Sequence, residues 1–165
     1  MADINNQAKE NLVYIDESGI DNYLYWPWGY GLRGKKIYGE VSGKRYARES
    51  FIAGKVGSKI IAPMCFNGTC NTELFNIWLE EILIPVLKPG QIIIMDNAAF
   101  HKSQKTKDLI ENAGCRLLFL PPYSPDLNPI EKFWANLKGK IRLSILDFPS
   151  LSSAIDYAFS TPQPT

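Results

Sequence analysis

Apolar residues occur along this chain in two rhythms. Short unbroken runs, LVYI before Asp16, IIIM before Asp96 and CRLLFL from Cys115 to Leu120, end at acids or prolines and predict strands. Arg45 to Val56 and Lys59 to Phe66 predict two more strands, joined by a turn at Gly57-Ser58. The second rhythm is helical. Leu74, Phe75, Trp78, Leu79, Ile82 and Leu83 share one face of a helix that starts near an Asn71 or Thr72 cap and ends before Pro85. Ser103 to Ala113 predicts a short helix closed by Gly114. Ile130, Phe133, Trp134, Leu137 and Ile141 form the apolar stripe of a helix capped by Asn128, with Pro129 at its first position, that runs to about Arg142. A last helix is expected from Ser150 to Phe159.

The order is strand, strand, strand, helix, strand, helix, strand, helix. Consecutive early strands predict an antiparallel meander, and the later alternation predicts parallel additions with crossover helices. The fold expected is α/β, a ribonuclease H-like mixed five-stranded sheet with helices on both faces. Residues 1–11 are polar and read as a disordered or frayed end, and residues 12–160 as a single domain. Residues 21–43, rich in glycine and aromatics, read as an irregular or hairpin excursion.

Composition adds bounds. The chain has 165 residues, 45% hydrophobic, with four Trp, enough for one domain with a real core. Its net charge of +1 does not mark a nucleic-acid binder, but the distribution is uneven. Eight Lys or Arg lie between Arg33 and Lys59 against Glu40 and Glu49, and eight more between Lys102 and Arg142 against four acids. Such runs are solvated faces or, if they flank an acidic pocket, the layout a polyanionic substrate needs. Cys65, Cys70 and Cys115, with a single His, cannot form a standard zinc site and read as reduced, buried thiols of a cytosolic protein. No apolar run approaches the roughly 20 residues of a membrane span, and MADINNQAKE lacks the form of a signal peptide.

Asp16 and Asp96 each terminate an apolar run, which places a carboxylate at the rim of a sheet. Alternation puts Leu12, Tyr14 and Asp16 on one face and Val13, Ile15 and Glu17 on the other. If the two strands are neighbours, Asp16 and Asp96 point to the same side and Glu17 points away. Glu131, at the start of a helix, is suited either to a capping box or to looking across the sheet edge towards the two Asp. Three converging acids would make a pocket of about −3 charge, and hard oxygen donors suit Mg²⁺ or Mn²⁺.

YIDESG, IIIMDNAAFHK and LPPYSPDLNPIEKFWANLK together resemble the three catalytic blocks of DDE transposases, in particular the mariner-like superfamily and its bacterial insertion-sequence relatives. Thirty-four residues separate Asp96 from Glu131, a spacing typical of that group, and the resemblance spans Leu12 to Arg142. It implies that Asp16, Asp96 and Glu131 are a metal-binding catalytic triad holding two divalent ions, with Asp16 bridging them and Asp96 and Glu131 each favouring one. It further implies DNA cleavage and strand transfer at transposon ends and target, a homodimer in a synaptic complex, and a cytoplasmic, nucleoid-associated bacterial protein. Full-length relatives begin with helix-turn-helix modules, so here either a separately encoded protein or a frameshift supplies such a module, or the chain is a decayed fragment.

On the family pattern Asn97, His101 and Asn128 support the triad or touch DNA. Against that, Asn97 suits a turn, His101 an ordinary surface position and Asn128 a helix cap. Trp134, on the apolar stripe, belongs to the core. Trp26 and Trp28 stand among five aromatics between Tyr23 and Tyr30, just before Arg33, Lys35, Lys36, Lys44 and Arg45. With Lys102, these residues are candidates for DNA or subunit contact, either stacking on unpaired bases or covering the sheet. Two alternatives stay open, another ribonuclease H-like nuclease and a non-catalytic remnant that binds DNA or multimerises.

Overall fold

The computed structural model describes residues 2–21 and 48–161. The candidate contact residues Trp26, Trp28, Arg33, Lys35, Lys36, Lys44 and Arg45 lie outside them, as does most of the 21–43 excursion.

Five strands form one sheet: β1 (Leu12–Asp21), β2 (Arg48–Val56), β3 (Lys59–Asn67), β4 (Ile92–Met95) and β5 (Arg116–Phe119), in the spatial order β3-β2-β1-β4-β5. β1, β2 and β3 pair antiparallel, whereas β1 with β4 and β4 with β5 pair parallel. This is the mixed sheet the apolar runs predict. β1 is ten residues long, twice the length its apolar run indicated. Its polar second half, Glu17 to Asp21, keeps pairing with β2 through the register Glu17↔Ile52 to Asp21↔Arg48. Backbone hydrogen bonding thus extends the strand past the point where side-chain pattern stops signalling it.

Helices cover both faces. α1 (Ala2–Asn5) and a 3₁₀ turn (Lys9–Asn11) precede β1. Ile4 packs against Leu12, Ile92, Ile94 and Leu120, and Gln91 donates to the Glu10 carbonyl at 2.9 Å. The residues expected as a frayed end thus include a docked helical turn. α2 (Thr72–Trp78) is capped by Asn71, whose side chain accepts from the Leu74 amide at 2.8 Å. It widens into a π-helical turn at Leu79–Leu83 and tightens to a 3₁₀ turn at Ile84–Val86. Pro85 accounts for the change, since it lacks an amide hydrogen and its ring crowds the carbonyl four residues back. α3 (Gln104–Asn112) is capped by Ser103. α4 (Ile130–Ser144) and α5 (Leu151–Ser160) complete the set.

Each face of the central strands has its own core. Val13, Ile15, Ile93 and Met95 pack with Phe75, Trp78, Leu79, Leu83 and Ile110 of the α2–α3 layer. Phe51 and Ala53 pack on the other face against Ile130, Trp134, Leu137 and Ile141 of α4 and against α5. Trp134 is buried in that core, 5.0 Å from the Phe51 ring. Because β1 and β4 are apolar on both faces, they are sandwiched between helices, as central parallel strands are.

The cysteines depart from expectation. Only Cys115 is buried, while Cys70 is half-buried and Cys65 exposed. Cys65 lies on β3, an edge strand, paired with Phe51 of β2. No helix among the described residues is long and apolar enough to cross a membrane.

Candidate active site

β1 and β4 run parallel in the register Leu12↔Ile92, Val13↔Ile93, Tyr14↔Ile94. Carried forward, this sets Asp16 level with Asp96, just past the end of β4, so both acids leave the sheet at the same rim. Asp16 stands on the α4 face, and there Glu131, in the first turn of α4, meets it: the two carboxyls share a hydrogen bond. Asn128 sets that approach. It is buried, its Oδ1 accepts from the Ile130 amide at 3.3 Å, and its carbonyl accepts from the Glu131 amide at 3.2 Å. The Asn128 side chain thus caps the helix start, and the carboxyl of Glu131 is directed at Asp16.

Asp16, Asp96 and Glu131 line one cavity of about 380 Å³ with Asn97, Asn128 and the loop from Pro121 to Pro125. Among the described residues no three acidic, His or Cys side chains are gathered as a ready ligand cluster. Asp16 and Glu131 meet on one side of the cavity and Asp96 lines it with them. Asp16 is only 8% exposed. Burial first, then Glu131 and Glu17, push its pKa up from 3.8 to about 8, so without a cation Asp16 keeps its proton at neutral pH. Hard oxygen donors crowded until one must stay protonated fit a divalent cation, which would take the proton's place.

Asp96 is held differently. Its Oδ1 accepts from the Ala98 amide at 3.1 Å and lies 2.7 Å from His101 Nδ1. The His101 hydrogen bond, more than any other influence, holds its carboxyl below the usual carboxylate range. The other ring nitrogen, Nε2, lies 2.8 Å from Glu17 Oε1. His101 is completely buried, its ring centre 4.6 Å from that of Phe75 and 4.3 Å from that of Phe100. Burial disfavours its charge, yet the hydrogen bonds to Asp96 and Glu17 prevail and raise its pKa from 6.5 to about 9. His101 is therefore an imidazolium clamped between two carboxylates.

This corrects one expectation and extends another. His101 is neither a surface residue nor placed to touch DNA, because it lies behind Asp96 under two aromatic rings. Glu17 does point away from Asp16, but it re-enters the site as the outer partner of His101. Only the single His in the chain and its place five residues after Asp96 hinted at this. Asn97 is exposed on the cavity wall, and Lys102 is exposed beside the His101 turn.

Beneath this turn lies a small polar network. Thr106 Oγ1 donates to Asn76 Oδ1 at 2.7 Å, Asn76 Nδ2 donates to Ser103 Oγ at 3.2 Å, and Ser103 Oγ accepts from the Thr106 amide at 3.1 Å. Asn76 and Thr106 are both buried. The network ties α2 to the start of α3 and so fixes the segment that carries His101.

Fold and site together define a class: a ribonuclease H-like α/β domain with a carboxylate cavity at the carboxyl ends of adjacent parallel strands. The chain belongs to the DDE superfamily endonucleases, whose family profile matches residues 11–152. It is 29% identical over 141 residues to an uncharacterized 39 kDa protein of insertion element IS630 from Shigella sonnei, covering 81% of this chain and 39% of that protein. It is 38% identical over 117 residues to the Tc3 transposase of Caenorhabditis elegans, covering 71% of this chain and 32% of that protein. The chain thus spans less than half the length of these relatives. Among solved structures, a pre-cleavage Mos1 transpososome superimposes with a TM-score of 0.66 at 19% identity, covering 79% of this chain and 42% of the Mos1 chain. The catalytic core domain of BIV integrase gives 0.55 at 10% identity over 94% of this chain and 88% of its own. At these identities the structures speak for the fold alone.

Proposed function

We propose that this domain cleaves DNA and transfers its strands in transposition, using divalent metal held by Asp16, Asp96 and Glu131. The observation that carries this is the convergence of Asp16, Asp96 and Glu131 on one cavity, with Asp16 level with Asp96 across parallel β1 and β4 and Glu131 reaching it from the first turn of α4. Bound there, Mg²⁺ or Mn²⁺ would supply Lewis-acid activation of a phosphodiester and of the attacking hydroxyl, in a two-ion arrangement. The existence of solved Mos1 structures with Mn and with Mg supports this choice of ions.

The chain's own residues do the positioning. His101 and the Ala98 amide hold one oxygen of Asp96 and leave its other oxygen for the cavity. Glu17 keeps His101 charged, so Asp96 stays ionised and oriented. Asn128 fixes the helix start that delivers Glu131. Partial desolvation of the sulfur, with Asp156 and Glu49 near Cys65 and Glu17 near Cys70, pushes the two thiols up to about 11 and about 12, so neither offers a thiolate nucleophile at neutral pH. The nucleophile is instead water or a DNA hydroxyl. The Mos1 assemblies, described as a pre-cleavage transpososome and a paired-end complex with a transposon end, support DNA ends and more than one subunit as partners. A homodimer is the simplest such assembly.

The test is nicking of DNA in Mg²⁺ or Mn²⁺, with metal binding followed separately by calorimetry. Wild type should bind Mn²⁺ and nick DNA, and Asp96→Asn should lose nicking by about 100-fold or more, the scale of removing a charge-stabilising group from such a site. Equal nicking by the variant would remove the triad from the chemistry. Binding of metal and DNA without nicking would favour a non-catalytic DNA-binding role.

A further inference from the structure

Tyr123 stands at the tip of the Pro121–Pro125 loop, on the wall of the cavity that holds Asp16, Asp96 and Glu131. Its side chain is fully exposed, at 102% of its reference area. A single exposed aromatic means little by itself. Here two further observations accompany it. The Tyr123 backbone is left-handed, with φ +57°, a conformation that bulky residues rarely adopt and that glycine adopts freely. The strain is also held in place. Pro121 and Pro122 precede Tyr123 and Pro125 follows it. On one side the Leu120 amide donates to the Met95 carbonyl at 2.8 Å, and on the other the Asn128 amide donates to the Pro125 carbonyl at 2.9 Å. Ser124 Oγ closes the tip by donating to the Pro122 carbonyl at 3.3 Å. A stiff frame therefore presents a large ring to solvent in a costly conformation, beside the reacting centre. Such outliers persist where surrounding structure over-determines them and are concentrated at sites of function.

We propose that Tyr123 is a substrate-contacting residue that stacks on an unpaired nucleobase beside the scissile phosphate, and so favours DNA whose strands are open at the cut. This rests on the DNA-cleaving role proposed above. A ring already held in place loses little freedom on stacking, and every base offers a face, so the contact selects opened structure over sequence.

The experiment compares duplex DNA carrying a short unpaired end, with 2-aminopurine at the first unpaired position, and the same duplex fully paired. Binding is measured with Ca²⁺ in place of Mg²⁺. Wild type should bind the unpaired-end DNA more tightly and quench the 2-aminopurine. Tyr123→Phe should keep both properties. Tyr123→Ala and Tyr123→Gly should lose the quenching and bind the unpaired-end DNA about 5- to 100-fold more weakly, the range base stacking spans. Their binding to the fully paired duplex should change less than about twofold by the same logic. Tyr123→Gly should melt no lower than wild type, because it relieves the left-handed strain, which keeps loss of binding distinct from loss of fold. Retained quenching and affinity in Tyr123→Ala, with DNA binding intact in wild type, would overturn the stacking role alone. Failure of wild type to bind either DNA would overturn the DNA-cleaving role and the stacking role with it.

Discussion

Replacing His101 by Ala tests whether the buried clamp has the energetic weight its geometry implies. The substitution removes a fully buried ring from between Phe75 and Phe100 and strips a partner from two carboxylates. The Glu17 side chain is 15% exposed and that of Asp96 53% exposed. Breaking a buried ion pair on one side costs about 3–5 kcal/mol. The Asp96 arm is half in water and contributes at most about 1 kcal/mol. The whole substitution should therefore cost at least about 3 kcal/mol, with the aromatic contacts adding to that floor. The raised pKa leads to the same size: a shift from 6.5 to about 9 in a buried group corresponds to roughly 3 kcal/mol. For a domain of this length that lowers the melting temperature by about 6–12 °C.

The pH dependence is the sharper readout. His101 binds its proton more tightly folded than unfolded, so the clamp stabilises fully below pH 6.5 and is lost as pH rises through about 9. Urea unfolding of metal-free wild type and His101→Ala should differ by at least about 3 kcal/mol at pH 6 and by clearly less at pH 9.5, where only the lost packing remains. An equal difference at both pH values would show that the ring is only a space-filler and that the charge assignment is wrong.

Thr106→Val should cost about 1–3 kcal/mol in the same assay, because it leaves the buried Asn76 carbonyl without its donor, while Thr106→Ser should recover most of the loss. Asp16→Asn should have opposite effects on stability and binding. The raised pKa of Asp16 means that folding is penalised as pH rises from 3.8 through about 8. The variant should therefore be more stable than metal-free wild type at pH 8, by about 1–3 kcal/mol, yet lose the melting-temperature increase that Mn²⁺ gives wild type.

Most of the scaffold is written in local pattern. Runs ending in Asp16 and Asp96 mark the two strands that carry the acids, and strand alternation sends Asp16 to one face and Glu17 to the other. The stripe from Ile130 to Ile141 marks the helix that delivers Glu131. What local pattern does not carry is pairing between distant polar groups. Glu17 and His101 lie 84 residues apart, and Asn76 and Thr106 lie 30 apart. A lone His after a Phe has no periodicity to betray its burial. The second half of β1 escaped for a related reason, since its Glu, Ser and Gly residues are ordered by the hydrogen bonds of β2 and not by their own propensity. Nor does a left-handed tyrosine announce itself in a Pro-Pro-Tyr-Ser-Pro string, where glycine is the residue that normally signals that backbone.

Neighbouring acids on β1 also bear on how the chain finds its alignment. Sliding β1 by one residue would turn Glu17 into the carboxylate cavity and Asp16 onto the imidazole side. Greasy side chains would scarcely object, because Leu12 and Tyr14 on one face and Val13 and Ile15 on the other are all comfortable beneath a helix. The hydrophobic code that aligns most strands is nearly silent here. Discrimination falls to chemistry: the longer glutamate spans to the ring that waits behind Asp96, whereas the shorter aspartate fits beneath the first turn of α4. The same few polar atoms that build the proposed site thus also proofread the threading of the central strand.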